Sequence, residues 1–167
     1  MKKAWFFAAP LILLLALAQP VISGELPKEG TFSFTIYATD TGKVIVVGER
    51  LHCIYEGIGI VGNDEGKGFL NEAAFYNLGQ MHGVKGIKQS ETGACEYTDA
   101  DGDKVLATYE WKGVLFKSAE GPFEFVAGTG KYTGITGGGE SNWWPTRSVK
   151  PDMTFGIMKV KGHYKLP

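Results

Sequence analysis

The sequence predicts an all-β protein, and for an all-β chain of this length a single eight-stranded antiparallel β-barrel. Three observations lead there. Beyond the first 23 residues about one residue in six is glycine, which disfavours long helices and supplies turns. Short runs of alternating apolar and polar residues recur along the chain, the period of a half-buried strand. Clusters of Gly, Asn and Asp separate those runs, giving about eight strands and no helical period. Strands in that number must close or stack to protect their edges. Closure gives the barrel; a two-sheet β-sandwich is the alternative, because alternation reads the same in both.

The first segment stands outside that fold. Met1, Lys2 and Lys3 form a basic start, Ala4 to Ala18 an apolar stretch, and Val21 and Ser23 are small enough for a cleavage site before Gly24. This is the layout of a secretory signal peptide. An uncleaved anchor needs about 20 apolar residues, whereas Pro10 interrupts the run and Pro20 ends it. No Cys follows, which argues against a lipoprotein. The chain therefore divides into a signal peptide, 1–23, and a barrel domain, 24–167. The mature domain is expected in the periplasm or secreted, without stable membrane insertion.

The strands follow in order. Thr31 to Ala38 alternates, with Phe32, Phe34 and Ile36 on one face and Thr31, Ser33 and Thr35 on the other. Asp40 to Gly42 reads as a turn, and Lys43 to Glu56 as the next strand, led by the β-formers Val44 to Val47. Gly62 to Gly68 reads as a loop. Phe69 to Val84 is assigned as a strand, because a helix begun at Asn71 would be broken by Gly79 and Gly83. Gly93 to Tyr97 and Lys104 to Lys112 flank Asp99 to Asp103, where Asp101-Gly102 is a strong hairpin signal. Val105, Ala107, Tyr109 and Trp111 share one face of the second of these. Gly121 to Ala127, Lys131 to Ser141 and Met153 to Tyr164 complete the set.

Composition excludes some functions. Without Lys2 and Lys3 the domain carries 15 basic and 18 acidic residues, too balanced for a nucleic-acid partner. Cys53 and Cys95 form an even pair in an exported chain, so a disulfide between them and two separately buried thiols are both open readings.

Residues Pro122 to Glu140, with the core Gly128-Thr129-Gly130-Lys131-Tyr132 followed by Gly134 and Gly137, resemble the strand, Gly-rich turn and strand of the allene oxide cyclase and dirigent barrel superfamily. Gly128 and Gly130 allow a tight turn with positive φ, and Gly134 and Gly137 allow a strand to bend or be closely approached. The resemblance implies an eight-stranded barrel, often oligomeric, whose cavity takes hydrophobic molecules such as oxylipins or phenolic radicals. No catalytic motif of that superfamily matches here.

Other motifs point mostly to structure. Gly128-x-Gly130-x-x-x-Gly134 lacks the spacing of a dinucleotide fingerprint, and Gly62 to Lys67 falls short of a phosphate loop. Asp99, Asp101 and Asp103 lack the later Gly and Glu of a calcium loop and read as a solvated turn. His52, His82 and His163 show no close ligand spacing; no metal and no cofactor are expected.

Candidate ligand-binding residues come from the strands. Glu49 and Glu110, like Glu56 and Glu124, lie in strand-like runs, and any that points inward must be paired. Arg50 could partner such a carboxylate or an anionic head group. Tyr109 and Trp111 share the apolar face, and adjacent Trp143 and Trp144 should point to opposite sides. The favoured function is a non-catalytic barrel binding a small hydrophobic or aromatic ligand, with a homo-oligomer as a further expectation. A cyclase, isomerase or coupling enzyme and a filled structural barrel are the alternatives.

Overall fold

Cross-strand pairing runs continuously around the chain in the computed structural model, which describes residues 26–84, 88–146, 148 and 150–167. The signal segment and its cleavage site before Gly24 lie outside the described residues. The strands are β1 (Glu29–Val47), β2 (Arg50–Asn63), β3 (Ala74–Val84), β4 (Lys88–Thr98), β5 (Lys104–Val114), β6 (Ser118–Gly128), β7 (Thr136–Pro145) and β8 (Met153–Lys165). Each is antiparallel to the next, and β8 closes on β1 through pairs such as Phe34 with Val160. The protein is thus a closed eight-stranded barrel and not a sandwich. Among the described residues no helix is long and apolar enough to cross a membrane.

Alternation decides what faces inward. Phe32, Phe34, Ile36 and Ala38 of β1 and Val105, Ala107, Tyr109 and Trp111 of β5 are buried, as their spacing predicts. Phe69, carried by the β2–β3 loop, plugs one end of the barrel. Its ring stacks on Tyr164 at 4.1 Å and meets Tyr132 edge-on. Phe32, Phe34, Phe123 and Phe125 complete this aromatic floor, so the barrel is filled at that end.

Several boundaries differ from the sequence reading. Asp40 to Gly42 is not a turn: β1 runs straight through it, with Asp40 paired to Gly57 on one side and Thr154 on the other. Pairing on both flanks overrides the local turn preference of Asp-x-Gly. The hairpin turn falls at Gly48, with φ +59°, and Glu49. The strand assigned to Phe69–Val84 begins at Ala74, since Leu70 and Glu72 take positive φ in the preceding loop. Lys131 lies in a 3-10 turn, Gly130–Tyr132, and β7 starts only at Thr136.

The Gly-rich segment keeps its turn with one amendment. Gly130, Gly134 and Gly137 have φ of +51°, +78° and +126°. Gly128 has no positive φ; its missing side chain makes room for the backbone of Tyr132. The acidic turn holds a cation of its own chain. Lys131 Nζ lies 2.6 Å from both Asp99 Oδ2 and Asp101 Oδ2, and its backbone N–H donates to Asp103.

Cys53 and Cys95 are free and separately buried, so the disulfide reading gives way to the alternative. Cys53 stands opposite Met81 on β3 and Cys95 opposite Asn77. They are therefore two strands apart and four residues out of step, an α-carbon separation of roughly 15 Å from strand dimensions. Bridging requires less than about 7 Å.

Candidate functional site

The end of the barrel opposite the aromatic floor is open, and there the inward positions turn polar. Asp40 from β1, Tyr55 from β2, Asn77 from β3, Gln89 and Glu91 from β4 and Trp111 from β5 line a cavity of about 320 Å³. Phe75, Met81, Trp143 and Met158 supply its apolar wall. Trp143 reaches in over Gly156, which pairs with Pro145 and has no side chain: any Cβ there would overlap the indole.

A chain of hydrogen bonds crosses the cavity base. Tyr109 Oη donates to Asn77 Oδ1 at 2.9 Å. The Tyr109 and Tyr55 hydroxyls are 2.9 Å apart, and Tyr55 Oη lies 2.7 Å from Glu91 Oε2. Gln89 Nε2 donates to the other Glu91 oxygen. Tyr55 donates to Glu91 and Tyr109 to Asn77, so two hydroxyl hydrogens serve three oxygen–oxygen contacts. Gly79 and Gly93 face each other on β3 and β4. Their bare α-carbons leave the space that the two tyrosine ends occupy.

Burial governs the titration of this group. It raises Glu91 above the usual carboxylate range, against the lowering effect of the Tyr55 hydrogen bond. Asp40 is pushed up to about 7, first by burial and then by the charge of Glu91. Among the described residues no donor meets the Asp40 carboxyl. Burial likewise raises Tyr55 and Tyr109, which stay protonated across the physiological range. Two buried polar atoms at the cavity have no partner among the described residues: Trp111 Nε1 and Gln89 Oε1, on residues only 4% and 7% exposed.

The sequence candidates divide. Tyr109, Trp111 and Trp143 come together here, and Trp144 points outward at 43% exposure. Glu49 lies in the β1–β2 turn, Arg50 is exposed at the start of β2, and Glu110 faces solvent on β5. These three are corrected out of the cavity, because their positions fall on the outer phase of the alternation or beyond the barrel rim. Glu56 and Glu124 are outward as well. Asp40, Tyr55, Asn77, Gln89 and Glu91 were not singled out by the sequence. Among the described residues no three His, Cys, Asp or Glu side chains converge on a metal site.

The chain is a closed eight-stranded antiparallel barrel, filled at one end and hollow with a polar base at the other. Among solved structures the chain is similar to the pterocarpan synthase dirigent protein GePTS1, with a TM-score of 0.53 and 9% identity over 84% of this chain and 93% of that one. At that identity the likeness is one of fold. It agrees with the dirigent side of the resemblance carried by Pro122 to Glu140. No family model and no curated relative matches the sequence.

Proposed function

We propose that the barrel works outside the cytoplasm and binds one small, largely aromatic or apolar molecule with a polar end that both donates and accepts hydrogen bonds. The carrying observation is the pair of unpartnered buried atoms, Trp111 Nε1 and Gln89 Oε1, in the same cavity. Each costs about 1–3 kcal/mol when left unsatisfied, and the polar groups of a bound molecule can satisfy them. Phe75, Met81, Trp143 and Met158 then cover its ring. A cavity of about 320 Å³ lies at the small end of ligand sites.

A second reading rests on the acid group: Asp40, poised near neutrality, and Glu91, raised by burial and hydrogen-bonded to Tyr55, can move a proton at the bound molecule. This favours a coupling, cyclase or isomerase type of reaction, and the similar structure is itself described as a synthase.

Native mass spectrometry of protein taken from its source tests the binding reading directly, and 2-naphthol is the defined probe. Saturable quenching of tryptophan fluorescence by 2-naphthol, weakened about tenfold in Trp111→Phe, is expected for loss of one buried hydrogen bond. Equal binding by Trp111→Phe and Gln89→Leu sinks it. Conversion of the source ligand by wild type but not Asp40→Asn separates the enzyme from the carrier.

A further inference from the structure

His52 on β2 stands directly opposite His82 on β3. Their strand neighbours Cys53 and Met81 are buried inside, so alternation turns both imidazoles to the outer wall. Neither lines the cavity. Their Nδ1 atoms are 3.2 Å apart, and their ring centroids are separated by 4.4 Å with a 41° tilt. One explanation is a hydrogen bond in which one imidazole donates to the other.

The same separation has a second property. Metal–nitrogen bonds of about 2.0–2.1 Å make nitrogens at this spacing subtend roughly 100° at an ion. That angle lies between the octahedral and tetrahedral values. No backbone movement is needed, because Leu51 with Gly83 and Cys53 with Met81 continue the pairing on either side.

We propose that His52 and His82 form a two-imidazole site for a divalent transition ion on the outer wall of the barrel, with Cu²⁺ the best occupant. Imidazole suits such ions, and Cu²⁺ heads the affinity order for nitrogen donors. Among the described residues no third protein ligand converges, so water or a small anion fills the remaining positions. Arg50, Ser90 and Lys112 border the same depression. The charges of Arg50 and Lys112 oppose a bare cation and favour an anion as co-ligand. Affinity in the micromolar range follows from two ligands and this surrounding charge.

The test uses protein purified without a histidine tag and titrated with Cu²⁺ in a non-coordinating buffer. Calorimetry should show one ion per chain, and the electron paramagnetic resonance spectrum of the wild type should show two equatorial nitrogens. His52→Ala and His82→Ala should each weaken binding at least about tenfold, as expected for loss of one of two ligands. His163→Ala, on β8 and away from the pair, should leave binding unchanged. Cu²⁺ should also raise the unfolding temperature of the wild type and of neither ligand variant. Absence of saturable binding, a spectrum with one nitrogen or none, or His82→Ala binding within twofold of wild type overturns the proposal. The spectrum is read on wild type alone, so a poorly folding variant does not blunt the test.

Discussion

Asp40 is a carboxylate held where its surroundings disfavour its charge. It sits in the middle of β1, and Gly57 opposite leaves room for its carboxyl. Burial and Glu91 raise it from 3.8 to about 7. The folded state therefore holds a proton that the unfolded chain releases near pH 4. Between about pH 4 and pH 7 the native state binds more protons than the unfolded state, so the contribution of Asp40 to stability falls as pH rises and levels off above 7. A displacement of this size corresponds to about 4 kcal/mol at most. Asp40→Asn removes the ionisation and keeps the shape. It should be more stable than wild type at pH 8 by on the order of 2 kcal/mol, with the difference vanishing near pH 4. Urea midpoints of the two proteins across that range give the answer, because the carboxylates other than Glu91 contribute equally to both. A constant difference would mean that Asp40 is not buried as described.

Among the elements, the Gly-rich turn and the β3–β4 pair make separate demands on glycine. Gly130 combines positive φ with a Cβ direction occupied by the Asp103 carboxylate. Gly102 has φ +85° but open space around it. Gly130→Val should therefore destabilise the fold clearly more than Gly102→Val, and by more than the roughly 1 kcal/mol of an ordinary substitution. Equal denaturant midpoints for the two variants would reduce the turn to backbone strain alone. Gly93→Ala should cost about 1–3 kcal/mol, since its Cβ would meet Tyr109 and the rigid carbonyl of Leu78. Adding Tyr109→Phe should recover only part of that loss, because the carbonyl remains.

The same elements explain how much could be read from the sequence. On β5 the inward positions are Val105, Ala107, Tyr109 and Trp111, and apolar alternation revealed both the strand and its face. On β4 the inward positions include Gln89, Glu91 and Gly93, and where β1 passes the cavity the inward side chain is Asp40. A polar-lined cavity erases the hydrophobic period where the site lies. On β2 the period even inverts, with Ile54, Ile58 and Ile60 exposed. The fold was therefore legible from its packed end, and the site was hidden by its own chemistry.

For the whole molecule, that inversion leaves an apolar surface that a lone barrel does not need. Tyr37, Ile58, Ile60 and Leu78 are each 52–62% exposed. Register places Tyr37 beside Ile60 and Ile157, and Ile58 beside Tyr76, which makes the patch continuous across β8, β1, β2 and β3. Its aromatic and aliphatic side chains present apolar area on the order of 600 Å², the upper end of what monomers leave open. A stable interface needs about 800 Å² per partner. The β1–β2 hairpin extends the patch, since Val44 to Val47 are 50–74% exposed and lie past the last β1–β8 pair, Thr41 with Met153. Together they reach that size, and a second copy of the chain is the occupant expected from the homo-oligomer reading. Sedimentation equilibrium at micromolar concentration should return a multiple of the chain mass for wild type. Tyr37→Glu with Ile58→Lys, both on the outer wall and away from the cavity, should return the monomer with 2-naphthol binding retained. A monomeric wild type would remove the oligomer. A double variant that stays associated would instead place the contact elsewhere, with the Val44 to Val47 hairpin the next segment to charge.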